Sequence, residues 1–213
     1  KEKKMSLIKS MGVSQLFKSF SVYAVSLIVS SSIPFLLLPI LTKFINPGEY
    51  GLVSMYMVCL ALFVPFVGLS VHGALYRFFF DNLEVEVSKY IFSLFIVLFL
   101  SGILSGTILY LFRGLIAGYA GLPIYILVFL IPTALLNFVI LLNMTYLQVK
   151  GMAIQYGFVQ IFRALSLGAM TLLFVITYGF GWVGVVYALF VNNVLFSIVS
   201  LFILLRNNAL LLC

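Results

Sequence analysis

Arg163 is the residue of this chain whose type and position most clearly predict chemistry. It is the one formal charge within six long apolar stretches, and none of the five acidic residues lies in any of them. Placing an arginine near the centre of a bilayer costs about 2.5 to 3.5 kcal/mol on insertion scales. A guanidinium held there without a carboxylate indicates an anionic ligand, and it could bind a phosphate or pyrophosphate through two parallel hydrogen bonds.

A second interpretation of Arg163 stays open from the sequence. The residue lies about eight positions into its predicted helix, roughly 12 Å at 1.5 Å per residue. Its backbone would then be on the cytoplasmic side of the bilayer centre. Long basic side chains in such positions often extend to the lipid headgroups. In that case Arg163 anchors the helix at the membrane surface and belongs to no binding site.

Amide side chains accompany Arg163 in its own stretch and in the two neighbouring ones. Asn137 lies in the fourth stretch, Gln160 lies about one helical turn before Arg163 in the fifth, and Asn193 lies in the sixth. In the fourth and fifth helices the polar groups exceed what packing requires, and they favour a wet cavity that faces a substrate. The polar stripe of the first helix, which ends at Ser30, and the polar seam of the sixth helix favour close helix packing instead.

Other kinds of chemistry find little support in the sequence. His72 is the sole histidine and has no metal-ligand or base partners, and Cys59 and Cys213 have neither a metal-ligand nor a disulfide spacing. An intramembrane enzyme would need a nucleophile with a base, or a set of metal ligands. The sequence therefore predicts no catalytic site, no metal site and no cofactor.

The elements that must position these residues are membrane-spanning helices. Of the 213 residues, 64% are hydrophobic and 8% are charged, a composition outside the range of soluble domains. Each stretch is near the ~20 residues that cross a bilayer, and none shows the alternation of a barrel strand. The prediction is an all-α bundle of six transmembrane helices, at about residues 20–41, 52–71, 90–112, 123–144, 155–178 and 182–205.

The basic residues predict the orientation of the bundle. The net charge of +7 is concentrated at the helix ends, where lysine and arginine set membrane orientation, so it does not indicate nucleic acid. A basic segment at residues 1–19 precedes the first helix and is predicted to be cytoplasmic. With both termini cytoplasmic and the first three lysines discounted, the division is still uneven: Lys9, Lys18, Arg77, Lys89, Lys150 and Arg206 lie inside, and Lys43 and Arg113 lie outside.

Prolines interrupt three of the predicted helices. Pro34 and Pro39 lie in the first, Pro65 in the second and Pro132 in the fourth. Each removes an internal hydrogen bond and predicts a kink. Kinks permit hinging, as a transporter requires, but prolines are also frequent in membrane helices that do not move.

Several segments resemble bacterial polysaccharide transporters. The segment 34–43, PFLLLPILTK, with NPGEYG at 46–51, is similar to their first helix and the turn that follows it. The segment 68–79, GLSVHGALYRFF, resembles the exit of their second helix. YLQVKG at 146–151 and GWVGV at 181–185 are similar to parts of their fourth and sixth helices. The chain thus resembles the polysaccharide and oligosaccharidyl-lipid flippases, which are related to the multidrug-and-toxin extruders and the lipid II flippases.

This resemblance implies one six-helix lobe of a two-lobe transporter of the bacterial inner membrane, with a central cavity that opens alternately to either side. The implied substrate is an undecaprenyl-pyrophosphate-linked glycan, an O-antigen or capsule repeat unit, and the implied partners are membrane lipids and a second lobe. Arg163 first and Arg77 second would neutralise the pyrophosphate. Asn137, Gln160 and Asn193 would contact sugar hydroxyls. Arg77 also has a simpler interpretation, as an interfacial anchor beside aromatic residues.

Family members have two such lobes, whereas this chain, residues 1–213, resembles the N-terminal lobe alone. We therefore expect either a piece of a longer protein or a half-transporter that pairs with a second copy or another chain, because alternating access needs two parts that move against each other. Two other functions stay open. A cation-coupled drug exporter would be expected to have a carboxylate in the membrane. A structural membrane subunit would tolerate leucine at Arg163.

Overall fold

The structure is a computed structural model that describes residues 13–69 and 84–207, with side chains described for residues 17–69 and 93–207. Within these ranges the chain is helical apart from short turns, and no strand occurs. The six long helices are α1 (Val13–Phe44), α2 (Pro47–Gly68), α3 (Glu84–Ala120), α4 (Leu130–Val149), α5 (Ala153–Leu172) and α6 (Gly181–Arg206). Each contributes a segment that is long and apolar enough to cross a membrane, so the predicted all-α membrane bundle is confirmed.

Two helices, α1 and α3, extend farthest beyond the predicted spans. α1 begins at Val13, within the segment predicted as a basic terminus, and residues 1–12 lie outside the described part of the chain. α3 continues past Arg113 to Ala120, where Gly121 adopts a φ of +64° and ends the helix. Helical hydrogen bonding continues beyond the hydrocarbon until a residue such as glycine ends it. Apolar runs therefore predict membrane spans better than they predict helix ends.

The turn predicted between the first two helices is confirmed at the start of α2. Asn46 Oδ1 accepts a hydrogen bond from the Glu49 backbone N–H at 2.9 Å. Glu49 Oε2 accepts one from the Asn46 backbone N–H at 3.3 Å. This reciprocal pair satisfies N–H groups that the helix itself leaves unbonded, and Pro47 fits the first helical position because its N–H is not needed there.

Pro132 lies elsewhere in its helix than the sequence predicted. A short helix, Ile124–Leu127, precedes α4 in the same candidate span, and the chain is interrupted at Val128 and Phe129. Pro132 follows in the first turn of α4, where a missing N–H leaves no helical hydrogen bond unmade. The prediction that Pro132 removes an internal bond is therefore corrected: the proline lies just after a break that already divides the span.

The end of α5 and the start of α6 form a tight connection. α5 continues as a π-helical turn, Leu173–Thr177, and three residues separate this turn from the start of α6. Gly179 and Gly181 have φ values of +66° and +56°, which glycine adopts without the steric penalty of a side chain. The connection has almost no loop, and α5 and α6 run antiparallel.

α4 is the most buried helix of the bundle, and it packs against α2 and α6. Its side chains Phe138, Leu142 and Leu147 are almost fully buried. α1 packs mainly on α5, where a Cβ added at Gly157 would lie 2.6 Å from Ser26 Oγ. Small residues permit this close approach of two membrane helices. The polar stripe of α1 thus contributes to packing, as predicted.

Candidate functional site

Arg163 lies near the middle of a candidate membrane span. The span runs from Ala153 to Thr177, and Arg163 comes ten residues after its start, about 15 Å along the helix at 1.5 Å per residue. α5 starts two residues earlier than the sequence predicted, which moves Arg163 farther from the helix end. The side chain is half-buried.

Two neighbouring helices hold the guanidinium inside the bundle. Arg163 Nη2 donates a hydrogen bond to Asn137 Oδ1 of α4 at 3.0 Å and a second to Asn193 Oδ1 of α6 at 3.1 Å. A guanidinium has donors and no acceptor, so both amides must present their oxygens to it. Side chains from three helices therefore meet at one nitrogen, and the guanidinium does not extend along α5 toward a helix end, as an interfacial anchor would.

The rest of the guanidinium has no protein acceptor in the described part of the chain. Of its five N–H donors, the two on Nη2 are used, and those on Nη1 and Nε form no recorded hydrogen bond there. Glu49 is the single acidic residue with a described side chain, and it caps the start of α2. Among the residues with described side chains, Arg163 thus combines a positive charge that no carboxylate compensates with unused donors.

Arg163 lines a cavity of about 410 Å³ between α1, α2, α5 and α6. Apolar side chains form most of its wall, including Leu37 of α1, Val53 of α2 and Leu189 of α6. Leu167 and Thr171 follow Arg163 at intervals of four residues and lie on the same face of α5, also in the wall. An anion that entered this cavity would meet a cationic group in otherwise apolar surroundings.

Gln160 adds a second polar group to the wall. It lies about one turn before Arg163 in α5, and its Nε2 donates to Ser30 Oγ of α1 at 3.2 Å. Ser30 also lines the cavity. Sequence reasoning assigned Ser30 to packing and missed this role, although its polar stripe leads to Pro34, which is in the same wall.

Comparison with known proteins assigns the chain to a family. Residues 16–209 match the family described as "Polysaccharide biosynthesis protein". The chain belongs to this family. This match covers nearly all of the chain, including all the helices that line the cavity. The family resemblance inferred from short segments is confirmed at this level.

Two relatives of this polysaccharide biosynthesis family member come from Haemophilus influenzae. An uncharacterized membrane protein is 29% identical over 164 residues, which cover 74% of this chain and 37% of the relative. "Lsg locus putative protein 1" is 38% identical over 66 residues, which cover 31% of this chain and 16% of the relative. The aligned part of the chain thus spans well under half of each relative's length. No solved structure matches.

The structure of this family member brings together four of the five predicted site residues. Arg163 and Gln160 line the cavity, whereas Asn137 and Asn193 lie behind the guanidinium and are not among the lining residues. Their predicted contact with sugar hydroxyls stays a prediction, and both amides already have Arg163 as a partner. Arg77 lies outside the described residues.

No metal site is evident in the described part of this family member. Residues 13–69 and 84–207 contain no group of three or more histidine, cysteine or acidic side chains that could hold a metal ion. Cys59 is buried, and His72 lies outside the described residues. The polar groups of the site are therefore a guanidinium, neutral amides and a hydroxyl.

Proposed function

We propose that this protein is a flippase lobe that moves a lipid-pyrophosphate-linked oligosaccharide, an O-antigen or capsule repeat unit, across the bacterial inner membrane. The observation that carries the proposal is Arg163, whose guanidinium has neutral partners on one nitrogen and unused donors at the wall of a cavity. A pyrophosphate supplies both the acceptor oxygens and the negative charge that this group lacks. The polysaccharide biosynthesis family supports a glycan as the rest of the substrate.

The proposed translocation depends on a second lobe. Alternating access requires two bodies that move about a site near the bilayer midplane. This chain supplies six candidate spans in its described residues, and its matches cover well under half of each relative. In this proposal the second body is another part of a longer protein, a second copy or another chain. Both ends of the six-helix lobe lie on the cytoplasmic side of the membrane.

The site favours this substrate over a coupling cation. A cation-coupled exporter needs a group that can bind or release a cation within the membrane, and an aspartate or glutamate usually supplies it. The candidate spans contain one acidic residue in their described part, Glu49, and it lies in the first turn of α2. A positively charged cavity wall would also repel a cation.

The proposal is tested by replacing Arg163 in the complete protein as it is expressed in its bacterial membrane. Arg163→Leu removes the charge and should reduce surface display of the glycan at least tenfold, because a hydrogen bond between charged groups contributes about 1.5 to 3 kcal/mol. Arg163→Lys keeps the charge but loses the fork of donors, so partial export is expected. The measurement is surface glycan per unit of inserted protein.

Arg113→Leu is the matched control for charge removal. Arg113 is exposed near the end of α3, where its guanidinium lies 4.6 Å from the centre of the Tyr110 ring. This variant should export glycan normally. Normal export by Arg163→Leu at normal protein levels would contradict the proposal and would favour a structural subunit.

A further inference from the structure

We infer that Asn137 and Asn193 are positioning residues whose neutral oxygens hold Arg163 in place and leave its positive charge to an oxyanion in the cavity. The inference rests on the proposed function and adds to it a rule about charge. The site requires amides rather than carboxylates behind the guanidinium, so that the ligand brings the negative charge.

The geometry supports the positioning role directly. Both amide oxygens bind the same nitrogen, Nη2, at 3.0 and 3.1 Å. They come from α4 and α6, and neither asparagine is among the residues that line the cavity. Arginine has several rotatable bonds and loses considerable entropy when it is ordered. Two fixed acceptors on one nitrogen restrict the guanidinium before a ligand arrives. The donors on Nη1 and Nε are then presented in a defined orientation.

The neutral character of the two oxygens has a separate consequence. Asparagine and aspartate have nearly the same shape, so a carboxylate at either position would form a charge-assisted bond to Nη2 of the kind that Asp and Glu commonly make with arginine. The described part of the chain instead presents an amide from each helix. A carboxylate would compensate the charge inside the protein, and an incoming phosphate would gain much less from the same guanidinium.

Asn193 shows that the arrangement lies deep in the bundle. Its side chain is 2% exposed, and Asn137 is half-buried. In such surroundings electrostatic interactions are less screened than at a surface. A change of one neutral oxygen to a charged one therefore changes the field at the cavity wall strongly, although it changes the packing little.

The experiment uses the complete protein in nanodiscs of neutral phosphatidylcholine, with inorganic pyrophosphate as the probe. Pyrophosphate should raise the melting temperature of the wild type and should not raise that of Arg163→Leu. Asn137→Asp should weaken pyrophosphate binding by at least about tenfold, because the new carboxylate lies within ion-pair distance of the guanidinium. Its own melting temperature should equal or exceed that of the wild type, since an isosteric ion pair replaces a neutral contact.

Asn143→Asp is the matched control on the same helix. Asn143 is fully buried, and its Nδ2 donates to Ser200 Oγ at 3.3 Å, so the same substitution there introduces a carboxyl group that has no cationic partner among the described side chains. Asn143→Asp should lower the melting temperature, whereas Asn137→Asp should not. If Asn137 had a purely structural role, the pyrophosphate affinity of Asn137→Asp would equal that of the wild type.

The outcomes separate this inference from the proposed function. Pyrophosphate binding of wild-type strength in both Asn137→Asp and Asn193→Asp overturns the inference, and so does failure of both variants to fold. Normal glycan export by Arg163→Leu overturns the proposed function whatever the asparagine variants do. If nanodiscs with phosphatidylglycerol give an Arg163-dependent shift and pyrophosphate gives none, the two asparagines still position an oxyanion site, but its ligand is a lipid headgroup and the proposed substrate is wrong.

Discussion

At the scale of single residues, the hydrogen-bond partners of Arg163 say more about its role than its burial does. An arginine beside a carboxylate would be a structural ion pair, and one that extends along its helix would be an anchor at the membrane surface. The structure shows neither arrangement among the described residues. Two amide oxygens hold one nitrogen, and Arg163 also lines a cavity. This combination supports the anion-binding role that we propose for the residue.

A second prediction at the residue scale concerns the contribution of Gln160 to export. Gln160→Leu removes a polar group from the cavity wall and its hydrogen bond to Ser30. A neutral hydrogen bond contributes about 0.5 to 1.5 kcal/mol, so export should fall by roughly two- to tenfold, less than in Arg163→Leu. Gln155→Leu, at an exposed position five residues earlier in α5 and outside this cavity, is the control and should export normally. Equal export by the two variants would remove Gln160 from the site.

At the scale of helices, small residues decide how closely the elements approach. Gly102 of α3 lies against Leu135 of α4, where an added Cβ would come within 2.8 Å of a methyl carbon. Gly68 at the end of α2 lies against the Phe138 ring, with a corresponding distance of 2.5 Å. The hydroxyl of Ser101 in α3 donates to the Val67 backbone oxygen in α2. These contacts pack α2 and α3 closely against α4 and against each other, and α4 carries Asn137.

Gly68 and Gly51 provide a matched pair within α2. Gly68→Ala would push a methyl group into Phe138, which is almost fully buried, and such overpacking costs about 1 to 3 kcal/mol. Gly51→Ala meets no atom within 4 Å and replaces glycine in a helix, which favours folding by up to about 1 kcal/mol. Thermal unfolding in detergent should therefore show a lower melting temperature for Gly68→Ala only. A similar decrease in both variants would mean that the Gly68 contact does not limit packing.

At the scale of the whole molecule, the exposed apolar surface has two different meanings. Side chains such as Ile103 of α3 are exposed on the outside of the bundle, where lipid is expected to cover them. The cavity between α1, α2, α5 and α6 is also mostly apolar, but it contains Arg163, Gln160 and Ser30. A guanidinium with unused donors requires water or a ligand beside it. The cavity is therefore expected to be wet.

Cysteine labelling tests this distinction. In a background with the native cysteines replaced by serine, Ala164→Cys places a thiol in the cavity wall beside Arg163. A water-soluble maleimide should label this thiol in intact membranes, and pyrophosphate should slow the reaction. Ile103→Cys, on the lipid-facing side of α3, should react only after the membrane is dissolved. Reaction of Ile103→Cys but not Ala164→Cys in membranes would show that the cavity is dry.

Much of the fold could be predicted because the bilayer limits the possibilities. Each apolar run must satisfy its backbone within itself and must cross a fixed thickness, so six spans follow from composition and length. The turn at Asn46 and Pro47 follows from local hydrogen bonding. The ends of α1 and α3 were missed because helices continue into water where no residue stops them. The kink predicted at Pro132 is instead a break a few residues earlier, at Val128 and Phe129. Pro132 itself lies in the first turn of α4, where its missing N–H interrupts no helical hydrogen bond.

The sequence by itself determined which residues are exceptional, namely Arg163 in an apolar run without an acid, with Gln160 on the same span and Asn137 and Asn193 on neighbouring spans. Only the tertiary structure decided that the two asparagines bind one guanidinium nitrogen while Gln160 reaches Ser30. A period of 3.6 residues shows which side chains share a face of one helix. It does not show which helix that face meets, because neighbours and rotations are set by packing over the whole bundle.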